Sequence, residues 1–147
     1  MTRSGRLKPI AEVAARDAEA AARAVTEARN ALASEEARLA DLAGYRRQYD
    51  ASQATEGMTL PFSLANRHAF AAQLDEALRL QEQRVVACRA ELERRVEEWS
   101  ALRRHGHAME RLVGRCAGEE AREAERSEQR SLDDSSVSRQ VGATRRD

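Results

Sequence analysis

Four groups of residues in this sequence could do chemistry, and each sits at a spacing that can be set against the chemistry it would need. His105 and His107 are metal-ligand types, but two residues apart on a helix they point to different faces, whereas a shared ion needs an i, i+4 pair. The adjacent carboxylates Glu97 with Glu98, and Glu119 with Glu120, are types used in acid and base catalysis. Neighbouring helical residues do not converge on one substrate atom, so all four read as solvated surface charge. Cys88 and Cys116 are too far apart for a disulfide if they share one helix, at about 42 Å against a limit near 7 Å, and read as reduced core fillers. The G-x-x-x-G of Gly114 and Gly118 is a helix-pairing signal only in an apolar segment, and here Arg115 and Glu119 interrupt it. The chain also has no phosphate-cradling glycine loop and no C-x-x-C. It therefore reads as no enzyme, with no catalytic residues, no metal site and no cofactor.

The elements that would carry these residues derive from composition and period. Of 147 residues 41% are hydrophobic, but alanine supplies nearly half of that share and aromatics make up only 3% of the chain, so a thick core cannot be filled. Charged residues make up 34%, which favours long helices over a compact globule. The 25 basic and 25 acidic residues cancel and are interspersed, so no field exists to hold a phosphate backbone, and nucleic acid is not an expected partner. The first residues lack an apolar signal region and no stretch could span a bilayer, which predicts a cytoplasmic protein.

Stepping by four and three from Leu7 gives Ala11, Ala14, Ala18, Ala21, Val25, Ala28, Leu32, Glu35, Leu39, Leu42, Arg46 and Tyr49, an apolar seam broken only by Glu35 and Arg46. A second seam runs from Leu74 through Leu78, Gln81, Val85, Cys88, Leu92, Arg95, Trp99, Leu102, Gly106, Met109 and Val113 to Cys116. Between them Gly57 and Pro61 disfavour helix, and Ser63 or Asn66 can cap the second helix.

The expected fold is all-α: a long antiparallel two-helix coiled coil, or α-hairpin, with a disordered C-terminal tail. Residues 1–130 form the hairpin, with helix one at about 7–50, the turn at 51–65 and helix two at about 66–126. The serine-rich residues 131–147 form the tail. Matching large side chains to small ones sets Trp99 opposite Ala21, Met109 opposite Ala11, Leu92 opposite Ala28 and Cys88 opposite Leu32. Helix two then outruns helix one by about two to four turns.

One stretch carries a wider apolar arc than a single partner helix covers. A second stripe, Phe70, Leu74, Ala77 and Gln81, shares Leu74 and Gln81 with the seam and leaves room for another protein. In the alternative, Phe70 closes the hairpin tip with Met58, Leu60, Phe62 and Leu64.

Arg6, Leu7, Pro9 and Ile10 at the start, Tyr45, Arg46 and Tyr49 at the end of the first seam, the Phe70 stripe, the lone Trp99, and Glu128, Gln129, Arg130 and Asp133 occur in an order that resembles the FliJ family. The resemblance implies a non-enzymatic component of the flagellar type III protein export apparatus, used in motility. It would be a coiled-coil stalk, cytoplasmic and peripheral at the inner membrane, binding the hexameric export ATPase, the export gate protein FlhA and export chaperones. Phe70, Leu74, Ala77 and Gln81 map onto the gate-contacting stripe, and Leu7, Ile10 and Val13 form the expected ATPase-facing set. The equivalent stalk of a virulence-type secretion system and a self-associating structural tether remain alternatives.

Overall fold

The computed structural model describes residues 1–55 and 61–146. Two helices make up almost all of them: α1, Arg3–Thr55, and α2, Pro61–Thr144, and no strand occurs among the described residues. Gly57, Met58 and Leu60 of the expected turn lie outside the described residues, as do the side chains of Phe62 and Ser63.

Both helices are longer than the sequence periods predict. α1 begins at Arg3 because Thr2 caps it. The Gly5 amide donates to Thr2 Oγ1 at 3.1 Å, and the Arg6 amide donates to the Thr2 carbonyl at 3.1 Å. α2 starts at Pro61, a residue suited to a first helical position because its missing N–H would find no partner there. Asn66, a possible cap by sequence, is therefore an exposed residue inside the helix.

The expectation of a disordered tail over residues 131–147 is corrected by α2, which stays helical to Thr144. No proline interrupts this segment, and its hydroxyls bond back to the preceding turn. Ser135 donates to the Leu132 carbonyl at 2.9 Å, Ser136 to that of Asp133 at 2.8 Å, and Ser138 to that of Asp134 at 2.9 Å. From Ala121 to Thr144 every residue is exposed, so the uncovered part of α2 spans roughly six to seven turns rather than two to four.

The chain divides into two compact units. One joins Met1–Ala18 to Leu102–Asp147, and the other is Glu19–Ala101. In the first, the two helical segments run antiparallel, with Gly106 buried against Ala14, the register that sets Met109 opposite Ala11. The absence of a side chain at Gly106 allows that approach. Ala11, Ala14 and Cys116 complete the buried set of this unit.

In the second unit Val25 and Val85 are buried, and α1 again meets α2 antiparallel. Arg46 Nε donates to Asp75 at 2.9 Å, and Gln81 reaches Glu35. No large side chain is fully buried among the described residues, as the alanine excess requires.

Candidate functional site

The region around Phe70, in the unit Glu19–Ala101, is assembled from both helices. Tyr49, on the α1 seam, turns its ring against Phe70, with centroids 5.3 Å apart and planes tilted by 52°. The Tyr49 hydroxyl donates to the Arg67 carbonyl at 2.6 Å, which fixes the ring. Arg46 also lies over Tyr49, 5.6 Å from the ring centroid, and is itself held by Asp50 and Asp75 at 2.9 Å each. Arg67 donates to Gln53 Oε1 at 3.0 Å.

Within this frame Phe70 remains 50% exposed, and Leu64, which the alternative reading packs against it, is exposed too. A large apolar ring that is half exposed and has one aromatic contact among the described residues is a surface suited to a partner.

The rest of the stripe sinks progressively into the pair of helices. Leu74 and Ala77 are half-buried, and Gln81 is only 3% exposed. Gln81 Nε2 donates to the Glu35 carbonyl at 2.9 Å and to the Glu35 carboxylate. Glu35 and Gln81, both polar members of apolar seams, thus satisfy one another inside the unit. Gln81 supports the stripe from within and offers no free side chain.

Outside the predicted stripe stands Tyr45, 58% exposed, which with Arg38, Asp41, Leu42 and Gln81 lines a shallow groove. Its spacing of four from Tyr49 puts the two tyrosines on one side of α1, a signal available in the sequence.

The expected ATPase-facing set lies on the first turns of α1. Ile10 and Val13 are 52% and 53% exposed and three residues apart, hence on one face; Leu7 is half-buried and belongs to the seam with Ala11 and Ala14. α1 has no acidic residue in its first turn to meet the positive end of the helix dipole, and Glu120 of α2 fills that role. Its carboxylate accepts the Ser4 amide at 2.9 Å and also the Ser4 hydroxyl. Glu120, by sequence a solvated surface charge, is therefore a cap supplied from the opposite helix.

Hydrogen bonding from the Ser4 side chain and then its amide holds the Glu120 carboxyl below the usual carboxylate range. A depressed carboxyl stabilises the folded form above its unfolded pKa, and that contribution is lost as pH falls through the depressed value. Protection of the Ser4 amide, taken as its exchange rate relative to the intrinsic rate at each pH, is therefore expected to be lost below the ordinary carboxylate range, and Glu120→Ala should lack that protection already at neutral pH. An unchanged exchange rate in that variant would remove Glu120 from the cap.

The remaining chemical residue types are dispersed. Among the described residues no group of three or more His, Cys, Asp or Glu side chains could hold a metal. His107 lies 3.6 Å from Glu110 within one helical turn, and Cys88 and Cys116 are free thiols. Among those residues, too, no helix is long and apolar enough to cross a membrane.

Long paired helices with exposed side-chain faces define an all-α protein whose described surfaces suit contact with other macromolecules. Comparison with protein families finds a match to the description "Flagellar FliJ protein" over residues 3–145. The chain belongs to that family, a structural component of flagellar protein export. Neither the curated proteins nor the solved structures give a significant match.

Proposed function

We propose that the protein is a non-enzymatic coiled-coil stalk of the flagellar type III export apparatus. It joins the export ATPase ring to the export gate protein FlhA and meets export chaperones, as a cytoplasmic protein peripheral to the inner membrane. The observation that carries this reading, beside family membership, is Phe70: a half-exposed ring braced by Tyr49 and continued by Leu74 and Ala77. In this reading Phe70 is the anchor of the gate contact and Leu74 and Ala77 its flank. Gln81 fixes the depth of the stripe through its bonds to Glu35. Ile10 and Val13, with Leu7 beneath them, supply the ATPase contact.

A stalk of this kind alters its ring only by favouring one subunit state over another, so it should change ATPase activity when added in trans. Heptad seams suit the role because all backbone hydrogen bonds are internal and the packed stripe resists bending.

The test is a pull-down of the purified protein against the export ATPase and, separately, the cytosolic part of FlhA. Wild type is expected to bind both. Phe70→Ala with Leu74→Ala should weaken the gate interaction at least about tenfold, as loss of an aromatic anchor does, and leave ATPase binding and helicity intact. Loss of helicity in the double variant would instead make Phe70 a closing residue of the helix pair. Binding to neither partner, with a stable homodimer in sizing, would overturn the stalk in favour of a self-associating tether.

A further inference from the structure

The unit built from Met1–Ala18 and Leu102–Asp147 carries a second surface, chemically unlike the Phe70 stripe. Arg104, Arg111, Arg115 and Arg122 are all exposed, and their spacing of seven, four and seven sets them in one row along α2. The row is about 27 Å long at 1.5 Å per residue. Its position opposes the half-buried or buried Leu102, Gly106, Met109, Val113 and Cys116, so it faces away from α1.

Several arginines elsewhere on α2 have acidic partners in their own helix: Arg79 with Glu76, Arg94 with Glu91 and Glu98, Arg126 and Arg130 with Glu123. None of the four in this row has an ion pair or hydrogen bond among the described residues. Opposite charge in this unit is also short, since basic residues outnumber acidic ones here and the reverse holds in Glu19–Ala101.

Beside the row the surface is unusually low. Arg111, Gly114, Arg115, Gly118, Glu119 and Arg122 line a shallow trough in which the three arginines outnumber the one carboxylate, and a Cβ built on either glycine would meet no atom within 4 Å outside the helix's own backbone. The guanidiniums therefore stand around a strip of bare helix backbone.

We propose that this face docks an acidic α-helix of a partner protein, its carboxylates spaced to match the arginine row and its backbone seated close over Gly114 and Gly118. Two helices that lie nearly parallel present their rows at the same period, so the seven-four-seven spacing can be met by one face of a regular helix. Arginine forks take carboxylates in bidentate pairs, which gives the contact a register as well as a charge. A membrane surface is the weaker fit, because no large apolar side chain stands in the row to enter the headgroup layer. This surface is independent of the Phe70 contact, and its test does not require the stalk assignment.

The probe is a labelled alanine-based helical peptide with glutamates in seven-four-seven spacing, followed by fluorescence anisotropy with the full chain, beside a peptide of the same composition in shuffled order. The matched peptide is expected to bind more tightly than the shuffled one, with affinity falling as salt is raised. Changing Arg111, Arg115 and Arg122 together to Gln should weaken it at least about fivefold, as removal of paired interface charges does. Arg79→Gln, which touches another part of α2, should change nothing. Gly118→Leu should also weaken binding, although leucine is the better helix former, because it fills the trough. Equal binding of the shuffled peptide, or no effect of Gly118→Leu, would reduce the row to a nonspecific polyanion surface and overturn the proposal. So would capture of anionic phospholipid vesicles, dependent on the same arginines, without peptide binding.

Discussion

Gly106→Leu is expected to destabilise the chain by about 1–3 kcal/mol, the usual cost of forcing extra methylenes into a filled space. The helices meet there over a backbone contact: a Cβ on Gly106 would lie 3.8 Å from the Ala14 carbonyl oxygen. That distance is ordinary van der Waals contact, so Gly106→Ala fits without movement. Alanine should stabilise by up to about 1 kcal/mol, because glycine is the poorer helix former by that amount. The two variants thus move in opposite directions from one position, and urea unfolding distinguishes them. Equal effects of the two would mean that the helices do not approach there.

The second large effect is expected at Gln81. Its amide meets both the carbonyl and the carboxylate of Glu35, and it is buried. Gln81→Glu replaces that donor by a second carboxylate, which from a buried position faces the carboxylate of Glu35, itself paired with Arg38 at 3.3 Å. Leaving the new buried carboxylate without a donor is expected to cost about 3 kcal/mol or more. The sign of the pH dependence is set by the protonation state. A protonated carboxyl donates again, so the variant should recover towards wild type as the pH is lowered into the carboxylate range, while the difference is greatest above it. Gln81→Leu, which removes the donor without adding charge, should be milder and independent of pH. Urea midpoints measured across that range decide the matter, and a flat difference for Gln81→Glu would dissociate Gln81 from Glu35.

These positions also mark what the sequence could disclose. A four and three step finds residues that are all buried or half-buried, from Leu7 to Tyr49 and from Leu74 to Cys116, because helical period and burial are one physical fact seen twice. By the same step Glu35 and Arg46 look like breaks in a stripe. Only the fold shows them answered from the other helix by Gln81 and Asp75.

Helix ends were less legible. Thr2 looks like any threonine until the Gly5 amide is placed against it, and serines in residues 131–144 are compatible with coil or with helix, depending on where their hydroxyls bond. Glu120 was hidden for another reason. Its partner, Ser4, lies more than a hundred residues away, and no local pattern connects a carboxylate in the middle of α2 with the first turn of α1.

At the candidate gate site the stripe itself was readable, since Phe70, Leu74, Ala77 and Gln81 keep helical spacing. How deep each lies was not. Depth is set by Tyr49 and Glu35 on the other helix, which divide the stripe into an open aromatic end and a closed polar one.

The thin core has a thermal consequence. Among the described residues the buried apolar ones are Ala11, Ala14, Val25, Val85 and Cys116, all small, so unfolding hydrates little new hydrocarbon for each residue released. The heat-capacity increment per residue is correspondingly low, which flattens the curve of stability against temperature. A chain built this way loses little stability on cooling and gives it up gradually on warming.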